Sequence, residues 1–360
     1  MKSPSISIIG IGKLGLCLGL NLERTGFKVV GMDLRHDYIK SLSEKTFFST
    51  EPSVNELLRE SKKLEFTTSL SAAVKADVIF VCVDTPSTSE FRYDHSKIES
   101  ILTQIEKLGR SEQRKELVIN CTTFPGYCQS ISDRLQDLNY FISYNPEFIA
   151  QGSIIKDQAF SELVLIGEAD QEAGDKLEMI YRMMCLSSPK VKRMGRTEAE
   201  LTKLAVNCFL TTKISYANMI GDIATKLGCD SSVILDAVGS DSRIGSKYLK
   251  PGFGFGGPCF PRDNRALARC ADDVGIDAVI SKATDESNEK HLEYQIEDFV
   301  SKNPDTSKIV EIDFVTYKKE STIIEESQQL KFAQRLKDLG YKITIRDRRQ
   351  EVLDQIKDLL

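Results

Sequence analysis

Between Ser5 and Ile166, short apolar runs alternate with stretches whose apolar positions recur every three or four residues. The runs Ser5–Ile9, Lys28–Asp33, Val78–Val83, Leu117–Asn120 and Leu163–Ile166 predict strands. Gly12–Thr25, Val54–Glu60 and Ile98–Leu108 predict helices among them. Strands joined through helices run parallel, so residues 1–196 are expected to form an α/β domain, a Rossmann-type doubly wound sheet. Its ligand should lie beyond the carboxyl ends of the strands.

The pattern changes at Thr197. From Glu198 to Lys226, Leu201, Leu204, Ala205, Phe209, Ile214, Ile220 and Ile223 fall at helical spacing, and no glycine interrupts before Gly221. This predicts one helix of roughly 30 residues, about 45 Å long, opening a helical middle domain over 197–300. The long helix is a candidate dimer interface. A polar linker, Ser301–Ser307, precedes a strand (Lys308–Val315), a helix (Gln328–Leu339) and a strand (Lys342–Asp347), a small C-terminal α/β domain over 301–360.

Composition narrows the function. A chain of 360 residues exceeds one ordinary core, in keeping with several domains. A net charge of -5 argues against nucleic acid as a partner. No stretch approaches the ~18 apolar residues of a membrane span. The run Ile6–Ile9 is too short for the core of a signal peptide, so no membrane association and a cytoplasmic location are expected. Nine cysteines, none in a Cys-x-x-Cys pair, and three scattered histidines (His36, His95, His291) predict neither a disulfide framework nor a metal site.

Four segments carry candidate chemistry. Gly10-Ile11-Gly12-Lys13-Leu14-Gly15 sets a G-x-G-x-x-G turn between strand and helix. Its glycines permit a tight turn, close approach of a pyrophosphate, and close packing of helix on strand. Asp33 ends the next strand, where a carboxylate can bind a ribose 2′-hydroxyl and repel a 2′-phosphate; this favours NAD. In the second segment, Gly252, Gly254, Gly256 and Gly257 crowd before Cys259, with Asp263 four residues on. Read from residue types alone, Cys259 is equally a nucleophile for aldehyde oxidation or a buried thiol in a tight loop. The third is Tyr144-Asn145-Pro146-Glu147-Phe148, in which Glu147 alone reads as a loop carboxylate. The fourth is Lys203 and Asn207, i and i+4 on the long helix, a polar pair on one face or an ordinary exposed lysine.

In this order the four segments resemble the UDP-glucose/GDP-mannose dehydrogenase family. Cys82-Val-Asp-Thr85-Pro86-Ser87, Cys121-Thr-Thr123-Phe-Pro125-Gly126, Glu51-Pro52 and Arg243-Ile-Gly-Ser-Lys247-Tyr248 add to the likeness, which runs from about Ser5 to Val300. The resemblance implies an NAD-dependent nucleotide-sugar dehydrogenase, a homodimer, that oxidises a sugar C6 alcohol to a carboxylate at the expense of two NAD. UDP-glucose is the leading substrate. Cys259 would be the nucleophile, carrying a thioester. Lys203 and Asp263 would assist alcohol deprotonation and stabilise the oxyanion, to which Asn207 would also donate. Glu147 would serve acid–base steps, chiefly thioester hydrolysis, and Thr123 would help hold the catalytic water. Gly10, Ile11, Gly12, Lys13, Leu14, Gly15, Asp33, Val83, Thr85, Thr122 and Gln151 would line the NAD site, with Gln151 in place of a glutamate common in relatives. Phe148, Arg243, Lys250, Gly254 and Gly256 would touch the substrate, Arg243 from the neighbouring subunit.

The likeness weakens beyond Val300. Where the family has G-x-x-F-K, an acidic stretch and R-E-S, this chain has Asp313 for the glycine and Glu325 for the arginine, with Lys318 and Lys319 between. Ending at Leu360, it is expected to carry a truncated C-terminal domain. Two other classes stand beside the leading one: a non-catalytic NAD or nucleotide-sugar-binding protein, and a two-electron dehydrogenase of the hydroxyacid type, which needs no nucleophilic cysteine.

Overall fold

The computed structural model describes residues 3–360. Eight strands build one sheet: Ile6–Ile9 (β1), Val29–Met32 (β2), Leu64–Thr67 (β3), Val78–Val81 (β4), Lys115–Ile119 (β5), Tyr140–Tyr144 (β6), Leu163–Gly167 (β7) and Lys190–Met194 (β8). Their order is β3-β2-β1-β4-β5-β6-β7-β8. Neighbours run parallel except β6 and β7. The order reverses between β1 and β4, which opens the ligand crevice of a doubly wound sheet at their carboxyl ends.

Alternation of side chains explains why the central strands β1 and β4 are apolar on both faces, with Ser7 the one polar position. Ile6, Ile8, Val78 and Phe80 feed a cluster with Leu16 and Leu20 of the helix Lys13–Arg24. Ile9, Ile79 and Val81 point the other way, to Ile98, Leu102 and Ile105 of the helix Ser96–Leu108.

The chain divides into two compact units, Met1–Lys203 and Leu204–Leu360. A helix of 32 residues, Arg196–Leu227, contributes to both. The C-terminal unit adds the helices Ser231–Ser240, Phe260–Asp273 and Val279–Lys302, then Ile309–Ile312 (β9) and Lys342–Ile345 (β10), a parallel pair joined through the helix Gln328–Asp338. Leu292 and Ile296 share a core with Ile312, Val315, Phe332 and Leu336. The closing α/β segment therefore packs on the helix Val279–Lys302.

The long helix buries polar side chains beside the apolar Ala199, Leu204, Ala217 and Ala224. Glu200, Lys203, Asn207, Thr211, Ser215 and Asn218 are buried, whereas Phe209, Tyr216, Met219, Ile223 and Leu227 are exposed.

Candidate active site

In the N-terminal unit the glycine turn follows β1. Gly10 has φ +92°, and a Cβ there would lie 2.6 Å from the Cys82 carbonyl oxygen. A Cβ on Gly15 would lie 2.4 Å from the Gly10 oxygen. These two glycines are demanded by packing. At Gly12 a Cβ would meet nothing within 4 Å, so the turn leaves open space there. Gly12 caps the helix Lys13–Arg24 without a side-chain hydrogen bond. The first N–H groups of that helix can therefore serve an anion. An open glycine face at uncapped N–H groups fits a dinucleotide pyrophosphate.

The other expected cofactor residues stand on the same sheet edge. The Ile11 side chain is buried, and its carbonyl accepts from Tyr38 Oη at 2.8 Å. Leu14 packs on the core, and Lys13 Nζ donates to Gln151 Oε1 at 3.2 Å. Burial opposes ionisation of Asp33, but hydrogen bonds from Arg35 outweigh it and hold the carboxyl below the usual range. Val83 follows β4, and Thr85 Oγ1 donates to Thr122 O at 2.7 Å, tying the segments behind β4 and β5 together.

Glu147 lies three residues beyond β6. Lys203 Nζ donates to the Glu147 main-chain carbonyl at 2.7 Å and stands 4.5 Å over the Phe148 ring. The glutamate keeps some surface, yet protein hems in its carboxyl. Burial pushes it up from the ordinary 4.5 to about 7, against the pull of Asn120, Lys203, Tyr181 and Gln158. Glu51, which the sequence marked only as part of a motif, accepts from Gly152 N and Ile154 N at 2.9 and 2.7 Å and fixes the turn after Phe148.

Thr123 is fully buried, and its hydroxyl donates to Glu200 Oε1 at 2.7 Å. Glu200 also accepts from Gly126 N and Cys128 N. Sequence reading gave Glu200 no role. Its position, one turn before Lys203 on the same helical face, was the available signal.

In the C-terminal unit Cys259 is exposed at the N-cap of the helix Phe260–Asp273, whose first turn holds Pro261. An anion here faces the helix's N–H end. Asp263, one turn on, is buried; Asn207 Nδ2 donates to its Oδ2 at 2.7 Å and Arg262 Nε lies 3.4 Å from its Oδ1. The glycine loop before Cys259 is braced by residues that sequence reading missed. Asn288 bonds both the N–H and the carbonyl of Phe255. His291 bridges Asp222 and the Gly252 carbonyl. A Cβ on Gly254 would strike Asn288, one on Gly256 the Glu326 carbonyl, and one on Gly257 the Tyr317 ring. Arg243 is exposed and paired with Asp241, and Lys250 is exposed. Among the described residues no cluster suits a metal ion, no disulfide joins the cysteines, and no helix is long and apolar enough to cross a membrane.

Sequence models of the UDP-glucose/GDP-mannose dehydrogenase family match the chain twice: the NAD binding domain at residues 4–185 and the central domain at 197–290. The chain is 29% identical over 354 residues to the UDP-glucose 6-dehydrogenase YwqF of Bacillus subtilis, covering 95% of this chain and 79% of that protein. It is 30% identical over 362 residues to a GDP-mannose 6-dehydrogenase of Pseudomonas aeruginosa, covering 96% and 81%. Its fold matches a UDP-glucose dehydrogenase from Pyrobaculum islandicum with a TM-score of 0.89 at 27% identity, over all of this chain and 84% of the other.

Proposed function

The chain belongs to the UDP-glucose/GDP-mannose dehydrogenase family, NAD-dependent oxidoreductases acting on a nucleotide-sugar alcohol, and from that premise we propose a four-electron oxidation of UDP-glucose to UDP-glucuronate through a thioester on Cys259. NAD supplies the hydride acceptor at each oxidation. The chain's own groups handle protons, charge and the acyl transfer. Lys203 and Asp263 assist removal of the alcohol proton as the C6 aldehyde forms. The Cys259 sulfur then adds to the aldehyde carbon, and Asn207 donates to the oxygen that gains charge. Loss of the second hydride leaves the thioester. Glu147 takes a proton from the attacking water, the C–S bond breaks, and the acid and the Cys259 thiol result.

The observation that carries this reading is the placement of Cys259. A thiol buried for packing would sit inside the core. This one is exposed at a helix N-cap beyond a braced glycine loop, with a buried Asp263–Asn207 pair one turn away. UDP-glucose comes first among substrates because the relatives that bear its name include the Pyrobaculum fold match.

The exposed stripe Phe209, Tyr216, Met219, Ile223 and Leu227 repeats every three to seven residues along one face of the long helix. We assign it to a homodimer, with Arg243 serving the neighbouring subunit.

The test is NADH formed per sugar consumed, with UDP-glucose leading a panel that includes GDP-mannose. Two NADH and a carboxylate product support the proposal. One NADH with aldehyde release points to a two-electron enzyme, and intact NAD binding without NADH points to a binding protein. Two NADH from GDP-mannose alone would reassign the substrate.

A further inference from the structure

Tyr181, on the helix Gln171–Met184, is almost fully buried. Its hydroxyl lies 2.5 Å from Asn145 Oδ1 and 3.5 Å from Glu147 Oε1. The Asn145 amide is held in one orientation, since its Nδ2 donates to Leu165 O at 2.9 Å and so turns Oδ1 toward the phenol. Asn120 Nδ2 donates to Asn145 O at 2.6 Å, and Cys82 Sγ donates to Asn120 Oδ1 at 3.2 Å. This buried chain of bonds ends at the glutamate. A phenol has one proton and two lone pairs, so Tyr181 cannot donate fully to both of its acceptors.

We propose that Tyr181 is a positioning residue for Glu147, directing its single proton to Asn145 while the glutamate is protonated and to Glu147 Oε1 once it ionises. In the first state a phenol lone pair is available to the carboxylic acid. In the second the phenol steadies the carboxylate that must accept a proton from water. Only rotation about the phenol C–O bond separates the two. The inference rests on the reading of Glu147 as the base for thioester hydrolysis.

The titratable groups around Glu147 leave it as the one that changes charge. Cys17 comes from the helix Lys13–Arg24, Cys82 from behind β4, and Cys185 from the end of the Tyr181 helix. Burial pushes all three thiols up, Cys185 to about 11. Burial likewise pushes the Tyr181 phenol well above its ordinary value. Lys203 faces Glu147 from the long helix and holds its carbonyl.

The experiment follows hydrolysis of the acyl-enzyme against pH in single turnovers of the full chain with saturating NAD, in wild type, Tyr181→Phe and Glu147→Gln. A donor to the ionised form lowers its pKa, so its removal should move the rising limb upward by about one pH unit, the scale of a hydrogen bond to an ionised group. The plateau should stay within a few-fold. An unmoved limb in Tyr181→Phe, with the limb abolished in Glu147→Gln, overturns the proposal. A wild-type profile in Glu147→Gln would instead overturn the assignment of Glu147 beneath it. If turnover is too weak to read, difference infrared titration of the carboxyl band absent from Glu147→Gln follows the same group. That band should persist to higher pH in Tyr181→Phe, and an unchanged titration counts against the proposal.

Discussion

Glu147 and Glu200 are two carboxylates in one unit, and their surroundings give them different work. Glu200 spends its oxygens on Thr123, Gly126 and Cys128, so it serves as an anchor for the segment behind β5. Burial raises both carboxyls, and it carries Glu147 up to about 7. That shift has a consequence for stability. An acid with a raised folded pKa binds its proton more tightly in the folded chain than in the unfolded one. Between pH 4.5 and about 7 the folded state therefore holds more protons, and stability falls as pH rises through that window. The fall is at most about 3 kcal/mol, and Glu147→Gln should remove it. Urea unfolding at pH 5 and pH 8 should show the variant gaining on wild type by that order at the higher pH. An equal difference at both would mean that the carboxyl is not desolvated. The acid–base role of Glu147 came with the family resemblance, but its burial and the anchoring by Glu200 were not legible, because Asn120, Gln158, Tyr181 and Lys203 reach Glu147 from four separate segments.

The long helix shows how periodicity can be right about an element and silent about its direction. Apolar spacing predicted a helix over Glu198–Lys226, and the structure has Arg196–Leu227. The inward side nonetheless carries polar residues, Glu200, Lys203, Asn207 and Asn218, beside the apolar Ala199, Leu204 and Ala217. Exposed apolar side chains at helical spacing are what a partner surface requires. Phe209→Asp combined with Met219→Asp should convert a dimer to a monomer, halving the mass read by light scattering. A wild-type chain that is already monomeric at micromolar concentration would remove the stripe's assigned role. Among the strands, the short apolar runs of β1, β2, β4, β5 and β7 were legible, and so were β9 and β10. Two of the misses have a physical reason. β8, Lys-Val-Lys-Arg-Met, lies at the sheet edge with exposed and half-buried positions, and β3, Leu-Glu-Phe-Thr, lies at the other edge. Edge strands need not be apolar on both faces. β6, Tyr-Phe-Ile-Ser-Tyr, is buried at four of its five positions, and neither its length nor its flanks set it apart from the strands that were read.

At the scale of the molecule, the sequence carried the N-terminal sheet and its glycine turn further than the C-terminal unit, where bracing residues such as Asn288, His291 and Tyr317 come from beyond the glycine motif they support. The turn proposed for the cofactor allows a test that separates folding from binding. Its glycines look alike in sequence and differ in their surroundings. A side chain on Gly10 or Gly15 must displace backbone, so alanine at either should lower stability in the absence of cofactor. A methyl on Gly12 meets open space and leaves the turn intact, but it occupies the approach that a pyrophosphate needs. A ligand at about 100 times its dissociation constant stabilises the folded state by roughly 2.7 kcal/mol. NAD should therefore raise the thermal midpoint of wild type by several degrees. Gly12→Ala should unfold with wild type when NAD is absent and show little response when it is added. If Gly12→Ala responds to NAD as wild type does, the dinucleotide does not cross this turn. If it is destabilised without NAD, Gly12 serves the fold as Gly10 and Gly15 do.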